Sequence, residues 1–514
     1  MCSPGLVAPV FQRAIMRPKQ IIIVGGGTAG WMCANLLATK WASTGTQITL
    51  VESSSIGTLG VGEGSTPFLR TFFAQLNISE EQWMPACDAT YKCGITFPNW
   101  CSEQANNSYF HPFYSEIDSQ LVTDFFSACN QRREGFDCDS HPDHYFVTAY
   151  VAQQNKAPKL AQHGHSDIDY AYHFDATKLG LFLKNHGLSL GVKCIDDEVT
   201  KVNSGPLGIE ALETKQNGIL YADFFIDCSG FSGLLIQQTL GEQLIDYSGY
   251  LPNNRAVAIQ SENAENSVLK SFTLSKGLKH GWRWSIPLQS RTGNGYVYCS
   301  DFVSEQAAEQ ELREEINDFE SKAVHLRWTP GRINQHWKQN CLAVGLSQGF
   351  LEPLEAPMLN IAQQTCEAFI EFVETLTNAE QSRQQFNLLI NNMIDGTRDY
   401  LQAHYKLNSR TDTPYWVFNR ENRVQSAALK DILSAWSTSG VFEHSLARHQ
   451  QLLTYKKTSW YCILAGMHHY SAPTKGALRL TRKKRQRAQQ QCQQLAAQFI
   501  DQASYLVPKA ISLL

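Results

Sequence analysis

The sequence lacks the features that are typical of membrane-spanning, secreted and nucleic-acid-binding proteins. It has no apolar run long enough to cross a bilayer, and residues 1–20 lack the charged start and long apolar core of a secretory leader. Its formal net charge is only -4 over 514 residues, so no excess charge draws the whole chain to nucleic acid or to an anionic membrane. We therefore expect a cytoplasmic globular protein with two or three domains, and neither nucleic acid nor a membrane as a partner.

Further absences concern disulfides, metals and a second cofactor. The 14 cysteines have no short paired spacings, and without an export signal they are expected to be reduced thiols. The histidines have no cysteine or carboxylate neighbours at familiar ligand spacings, so we expect no metal site. Only one glycine-rich dinucleotide motif follows a predicted strand. If the chain binds a flavin, its electrons must therefore come from a separate protein.

The sequence does contain a buried-strand pattern that breaks into glycines. Residues 21–24, Ile-Ile-Ile-Val, are apolar and β-branched without alternation, as in a strand that is buried on both faces. Gly25, Gly27 and Gly30 then fit G-x-G-x-x-G, in which the glycines allow a tight turn, close approach to a pyrophosphate and close packing of helix on strand. A helix predicted over residues 28–40 would point its free N–H groups at that phosphate.

An acidic residue completes this pattern. A second predicted strand, residues 47–51, is followed by Glu52, which lies 22 residues beyond Gly30 and could bind a ribose hydroxyl. The order of strand, glycine turn, helix and acidic residue predicts a dinucleotide site; the alternative is an ordinary glycine-rich turn in an α/β sheet. The glycine-rich stretch 56–67 is expected to be an irregular loop over a ligand.

The later pattern predicts that the sheet returns in separate segments. An apolar run at 224–227 reads as another buried strand, so we expect the cofactor domain to be discontinuous in sequence. Alternation between 254 and 300 predicts an antiparallel sheet that could wall a substrate site, and the chain is mostly helical from residue 361 onward. A helix is predicted over 172–182, whereas residues 106–162 show no periodicity that assigns them.

The most specific string is Gly-Trp-Arg-Trp-Ser-Ile-Pro at 281–287. Trp282 and Trp284 are two apart on a predicted strand and so point to one face, where such a pair either packs a core or walls a cavity. Read with the glycine motif, the string resembles the flavin-dependent tryptophan halogenase family, whose members carry G-W-x-W-x-I-P. The resemblance covers about residues 18–470, and further matching stretches stand in the family's order at 25–31, 60–66, 91–92, 227–230, 345–346 and 349–355.

This resemblance implies a fold and a cofactor. The fold is α/β, with an FAD-binding Rossmann-type domain like that of flavin monooxygenases and a mainly helical substrate domain. We expect the FAD-binding domain to comprise 18–105, 170–260 and 335–370, and the substrate-covering region, mostly helical toward the C-terminus, to comprise 106–169, 261–334 and 371–514. Matching to the family assigns the FAD contacts to Gly25, Gly26, Gly27, Ala29, Gly30, Glu52, Val199, Leu346 and Leu359.

The resemblance also implies the reaction. In the family, FADH2 from a separate NAD(P)H-dependent flavin reductase reacts with O2 to give a flavin hydroperoxide. A halide ion attacks it, and hypohalous acid passes through the protein to a small aromatic substrate. The family's essential lysine matches Lys92, whose ammonium can hydrogen-bond hypohalous acid and whose amine can form a haloamine. Without the resemblance, Lys92 would be interpreted as a surface lysine.

The family's essential glutamate matches Glu355. A carboxylate there could stabilise the cationic ring intermediate and take its proton. Glu352 is the nearest rival, and a structural or helix-capping role is the alternative for both residues. Trp282 and Trp284 match the wall between flavin and substrate, which keeps the substrate from the hydroperoxide and so suppresses direct hydroxylation.

The sequence departs from the family at its halide site. After the glutamate the family usually has Ser-Thr-Gly, whose threonine and glycine contribute to that site, but this chain has Ala356, Pro357 and Met358. Pro357 has no backbone N–H to offer an anion, and Met358 adds bulk where glycine gave access. We therefore hypothesise that bromide, the larger and softer ion, is preferred to chloride.

A second departure concerns the substrate. The tyrosine pair and the carboxylate that hold free tryptophan match near Glu443, His444 and Gln450, and none of those residue types is kept. Because Gln450 cannot ion-pair with a substrate ammonium, we expect free tryptophan to be poor, and indole or a larger indole or phenol derivative to be better. Two other hypotheses remain: a flavin-dependent aromatic monooxygenase, and a catalytically silent flavin-binding protein.

Overall fold

The computed structural model describes residues 17–55, 62–102, 107–162, 167–264, 268–375, 378–438 and 442–506. The first half of the glycine-rich stretch, 56–61, and most of the segment considered as a leader lie outside these residues. The helices are α1 (Thr28–Trp41), α2 (Phe68–Gln75), α3 (Glu80–Trp83), α4 (Ser119–Arg133), α5 (Val147–Gln153), α6 (Ala176–Ser189), α7 (Glu305–Ile316), α8 (Pro357–Thr375), α9 (Ala379–Leu407), α10 (Pro414–Glu421), α11 (Ala427–Trp436), α12 (Phe442–Arg448), α13 (Lys457–Gly466), α14 (Arg479–Ala496) and α15 (Gln502–Leu506).

The strands are β1 (Gln20–Val24), β2 (Gln47–Glu52), β3 (Gly62–Gly64), β4 (Thr90–Lys92), β5 (Gly94–Pro98), β6 (Ser108–Pro112), β7 (Lys156–Leu160), β8 (Ala171–Asp175), β9 (Lys193–Asp196), β10 (Val199–Gly205), β11 (Gly208–Thr214), β12 (Gly218–Leu220), β13 (Phe224–Asp227), β14 (Ile245–Asp246), β15 (Arg255–Glu262), β16 (Thr273–Gly277), β17 (Gly281–Pro287), β18 (Arg291–Tyr298), β19 (Ala323–Arg327), β20 (Gly331–Arg332), β21 (Trp337–Lys338), β22 (Cys341–Ala343), β23 (Gly349–Phe350) and β24 (Phe499–Asp501).

A six-stranded sheet runs in the order β21-β22-β13-β1-β2-β9. Its pairings are parallel except that of β21 with β22. The central strand β1 is buried along Ile21 to Val24, as its unbroken apolar run predicts, and Ile21 pairs with Phe224 on one side and Ile48 on the other. Helix α1 packs against α6 and α8 beside this sheet. The strand predicted at 224–227 is therefore β13, a neighbour of β1.

A seven-stranded sheet runs in the order β19-β15-β18-β17-β16-β5-β6. All of its pairings are antiparallel except that of β16 with β5. The antiparallel sheet predicted between 254 and 300 is thus present, and β5 and β6 extend it from earlier in the chain. A small sheet of β3, β8 and β4 carries Lys92 as the last residue of β4.

The chain beyond β23 is mostly helical, as predicted. The longest helix is α9, with 29 residues, and most of its C-terminal half is buried. Helices α10 and α11 pack against α9, and α12 packs against α11. No helix in the ranges given above combines the length and the hydropathy needed to cross a bilayer.

Three local predictions were wrong or incomplete. Tyr172 lies in β8, not in a helix: β8 is buried throughout and pairs with both β3 and β4, and α6 begins only at Ala176, where the Asp175 side chain accepts the Lys178 N–H. Residues 62–64 are a strand rather than irregular loop. The unassigned segment contains β6, α4, α5 and β7, and the buried residues of α4 do recur at helical spacing, although polar neighbours obscure it.

Candidate functional site

One cavity of about 1010 Å³ extends from the glycine turn to Lys92 and Glu355. Its volume is at the upper end of the range for ligand pockets. The residues that the sequence assigns to the flavin, to catalysis, to the tryptophan wall and to the halide all line it. They are Gly25, Gly26, Gly27, Ala29, Gly30, Glu52, Lys92, Val199, Trp282, Trp284, Leu346, Glu355, Pro357, Met358 and Leu359.

The glycine turn meets the steric demands of a pyrophosphate site. Gly25 has a φ of +114°, and a Cβ on Gly30 would lie 2.0 Å from the Gly25 carbonyl oxygen, so neither position admits a side chain. A Cβ on Gly27 would meet no atom within 4 Å, because this residue faces the open cavity. Gly27 is also the N-cap of α1, so no side chain occupies the free N–H groups of the first turn. These N–H groups fit the phosphates of a dinucleotide.

Glu52 is fixed at the cavity wall beside this turn. The Trp31 Nε1 donates to one of its oxygens at 3.0 Å, and Lys184 Nζ pairs with the other at 2.5 Å. Gly26 allows this approach, since a Cβ there would lie 1.9 Å from a Glu52 carboxylate oxygen. The carboxylate is therefore held in place at the carboxyl end of β2, where a ribose hydroxyl could reach it.

Lys92 is a buried lysine, with 1% of its surface exposed. Its Nζ donates to the Ser65 backbone oxygen at 3.0 Å and lies 5.7 Å from the centre of the Phe113 ring. Burial lowers the pKa of Lys92 to about 8, against an opposite and smaller effect of Glu355. The side chain is thus an ammonium that can lose its proton near neutral pH, which suits a proton donor.

Glu355 lies at the turn that precedes α8. It has a φ of +66°, a left-handed conformation that is unusual for a glutamate, and its Oε1 lies 3.1 Å from His404 Nε2. Burial would raise the pKa of Glu355, but His111, His404 and Lys92 together hold that pKa below its ordinary value. The carboxylate is therefore kept ionised inside the protein.

The rival Glu352 has a different environment. It is fully buried, and its two oxygens accept hydrogen bonds from the Tyr405 hydroxyl at 2.5 Å and the Asn253 amide at 3.2 Å. Burial raises its pKa to about 7. Glu352 does not line the cavity, so of the two glutamates only Glu355 faces it.

The two tryptophans both line the cavity. They lie on β17, their ring centres are 6.2 Å apart, and Gly295 on the neighbouring strand leaves the space that the Trp284 ring fills. Both are buried. The rings are thus fixed by the seven-stranded sheet.

The segment that departs from the halide motif is strained and begins a helix. Ala356 has a φ of +52°, which directly follows the left-handed Glu355, and α8 begins at Pro357. Since proline has no N–H, the first backbone donors of this helix belong to Met358 and Leu359. The cavity wall here therefore offers fewer N–H groups to an anion than a first turn without proline would.

The residues matched to the family's tyrosine pair and carboxylate, which hold free tryptophan, do not lie on this cavity. Glu443 and His444 are exposed on α12, and Gln450 is exposed beyond that helix. Glu443 accepts hydrogen bonds from Lys457 Nζ at 2.9 Å and from the Tyr461 hydroxyl at 3.2 Å. None of the three lines the cavity.

Several polar residues near the site were missed from the sequence. His404 contacts Glu355, and His111 is buried nearby with its Nε2 2.9 Å from the Tyr400 hydroxyl. Thr273 lines the cavity and contacts the buried His173. Only His404 had a local signal, since it lies in a predicted helix among apolar neighbours. The others make contacts between segments that are distant in sequence: His111 on β6 with Tyr400 on α9, and Thr273 on β16 with His173 on β8.

Comparison with known proteins gives one consistent family. The chain matches the family model for tryptophan halogenase over residues 20–481. It is 36% identical to tryptophan 6-halogenase SttH of Streptomyces toxytricini over 82% of this chain and 84% of that protein. It is 33% identical to tryptophan 7-halogenase RebH of Lentzea aerocolonigenes over 87% and 89%. The solved structure of BrvH, a flavin-dependent halogenase from Brevundimonas sp. BAL3, superposes with a TM-score of 0.82 at 29% identity, covering 95% of this chain and 99% of that one.

Proposed function

The chain belongs to the tryptophan halogenase family and is a flavin-dependent halogenase, and we propose that it binds FAD and halogenates an indole-type substrate other than free tryptophan. The observation that carries this proposal is the placement of Lys92 and Glu355 on one cavity with the glycine turn. The reduced cofactor is supplied by a separate NAD(P)H-dependent reductase. When bound, it provides the oxygen chemistry that converts halide ion and O2 into hypohalous acid.

In the proposed mechanism Lys92 activates the hypohalous acid. Its ammonium donates a hydrogen bond to the acid's oxygen, which makes the halogen more electrophilic. The ring carbon of the substrate bonds to the halogen as the oxygen–halogen bond breaks, and the leaving oxygen takes a proton from Lys92 to become water. A lysine pKa of about 8 makes this transfer easier than it would be for an exposed lysine.

Glu355 acts on the ring intermediate in the second half of the mechanism. Its carboxylate stabilises the cationic ring and then takes the proton from the halogenated carbon. Overall, the aromatic compound and hypohalous acid give the aryl halide and water, and the proton gained by Glu355 balances the one lost by Lys92. His404 holds the carboxylate in place at 3.1 Å.

We also propose that bromide is used better than chloride, and that free tryptophan is a poor substrate. The first proposal is supported by Pro357, which removes one N–H from the first turn of α8, and by the side chain of Met358 on the cavity. The second is supported by Gln450, which stands at the position matched to the carboxylate that holds free tryptophan and has no charge to pair with a substrate ammonium.

One experiment tests the proposed function. The purified protein is given FAD, a flavin reductase, NADH, O2 and either chloride or bromide, with a panel that contains tryptophan, indole, substituted indoles and phenols. Product masses should show halogen addition. Lys92→Met and Glu355→Gln should abolish it, whereas Glu352→Gln, a matched change three residues away, should keep most of it. Products bearing only oxygen would instead indicate a monooxygenase, and flavin binding without any product a silent protein.

A further inference from the structure

A chain of three buried side chains ends on the cavity beside Lys92. Thr90 Oγ1 lies 3.1 Å from His173 Nδ1, and His173 Nε2 lies 2.8 Å from Thr273 Oγ1. All three residues are buried, and His173 is fully so. They come from β4, β8 and β16, and of the three only Thr273 lines the cavity. We refer to them as the Thr–His–Thr chain.

The direction of each hydrogen bond in this chain follows from its first member. Thr90 Oγ1 lies 2.7 Å from the Pro287 backbone oxygen, which can only accept, so the Thr90 hydroxyl donates there. Thr90 must then accept from His173, and the histidine proton is on Nδ1. Burial and the nearby Lys92 keep the pKa of His173 well below its ordinary value, so the ring is neutral and Nε2 is an acceptor.

The acceptor at His173 Nε2 fixes the direction of the Thr273 hydroxyl. Because His173 Nε2 accepts, the Thr273 hydroxyl must donate its only proton to it. The remaining lone pairs of Thr273 Oγ1 can only accept a hydrogen bond from the cavity. An ordinary threonine can rotate its hydroxyl to donate or accept, but this one is fixed as an acceptor.

Thr273 and Lys92 converge on the same small space. A Cβ placed on Gly64 would lie 3.2 Å from Lys92 Nζ and 3.5 Å from Thr273 Oγ1, so the missing side chain of Gly64 leaves room between them. Lys92 already donates one hydrogen bond to the Ser65 oxygen and has further N–H groups for a ligand. The space therefore offers a charged donor on one side and an obligatory neutral acceptor on the other.

We propose that Thr273 binds the O–H group of hypohalous acid while Lys92 donates to its oxygen, with His173 and Thr90 as positioning residues. This inference rests on the proposed function. Hypohalous acid has one proton to donate and an oxygen that accepts, so both ends are satisfied. The halogen is then directed away from both residues. A hydroxyl also accepts the bond without removing the proton, so the acid stays in its neutral, electrophilic form.

Variants of Thr273 provide the activity test. Thr273→Val removes the acceptor but keeps the shape, and it should lower the halogenated product formed per O2 consumed by about tenfold, the effect of one lost hydrogen bond of about 1.4 kcal/mol. The hypohalous acid that escapes should oxidise a freely diffusing thioether to its sulfoxide. Thr273→Ser should restore coupling, and Thr96→Val, a matched change on β5, should leave it unchanged. Flavin binding should be the same in all variants.

A second readout needs no turnover. Nitrogen-15 NMR of labelled histidine should show a neutral His173 ring with its proton on Nδ1, and Thr273→Val should perturb its Nε2 resonance. A proton on Nε2 would overturn the inference. So would a Thr273→Val variant that forms as much halogenated product per O2 consumed as an active wild type does. A wild type that makes no halogenated product from any substrate would overturn the proposed function, and with it the inference. The other two results would overturn the inference alone, so the two failures are distinguishable.

Discussion

The buried ammonium of Lys92 should cost the protein stability, and Lys92→Met should recover part of that cost. Lowering the pKa from 10.5 to about 8 corresponds to about 3 kcal/mol at pH 7, at about 1.4 kcal/mol for each tenfold change. Methionine has a similar length and no charge to desolvate. Its substitution leaves the Ser65 oxygen without a donor, which costs about 1 kcal/mol. The expected net gain in the free energy of unfolding is about 2 kcal/mol.

The pH dependence of this gain distinguishes the removal of a desolvated charge from ordinary repacking, which does not depend on pH. Between about pH 8 and 10.5 the unfolded lysine keeps its proton while the folded one has lost it, so the wild type becomes more stable relative to the variant as pH rises. The advantage of Lys92→Met should therefore shrink by about 2 kcal/mol between pH 7 and pH 9.5.

Urea unfolding at both pH values, followed by tryptophan fluorescence, measures this difference. Lys193→Met, a change at an exposed lysine on β9, is the control and should show no such trend. If Lys92→Met is less stable than the wild type at pH 7, or if its advantage is the same at pH 9.5, then burial does not destabilise the ammonium as argued. A more stable but inactive variant would show that the charge is retained for chemistry.

Three further outcomes are expected. Halogenation at saturating reduced flavin should fall as pH rises through about 8, because Lys92 loses its proton there; a pH–rate profile checks this, and a rate that is flat to pH 10 would contradict it. Ala356→Gly should stabilise the fold by up to about 1 kcal/mol in urea unfolding, because glycine adopts the left-handed conformation without strain; a destabilised variant would refute the assignment of strain. Glu52→Gln should weaken FAD binding about tenfold in a fluorescence titration, whereas unchanged affinity would exclude a role for the carboxylate in holding the ribose.

The sequence was most informative where a role depends on close neighbours in the chain. The spacing of Gly25, Gly27 and Gly30 describes a turn whose steric limits are local, and the structure places that turn as predicted. Trp282 and Trp284 share a face because alternate strand residues always do. Lys92 and Glu355 were identified by resemblance alone, since nothing in their spacing brings them to one cavity.

The Thr–His–Thr chain could not be predicted, because its members are 83 and 100 residues apart in sequence. Thr90 and His173 face each other across the pairing of β4 with β8, and Thr273 reaches His173 from β16 of the seven-stranded sheet. The different environments of Glu352 and Glu355 had no signal either. They arise from the left-handed turn at Glu355 and Ala356. Neither residue is a glycine or an asparagine, the types that usually indicate such a turn in a sequence. The helix predicted at Tyr172 failed because burial in a three-stranded sheet overrode the apolar spacing.

The strand order of the six-stranded sheet also affects how the chain can be made. Asp227 pairs with Val24 on one side and Ala343 on the other, so the sheet cannot close until residue 343 has been synthesised. At about 5–20 residues per second, β1 waits on the order of 10 to 40 s for β13, its last neighbour, and the sheet waits on the order of 15 to 60 s for β22. Contacts so distant in sequence also fold slowly. We therefore expect yields of soluble protein to improve with slow expression and added chaperones, and any fragment that ends before β22 to aggregate through the unpaired edge of β13.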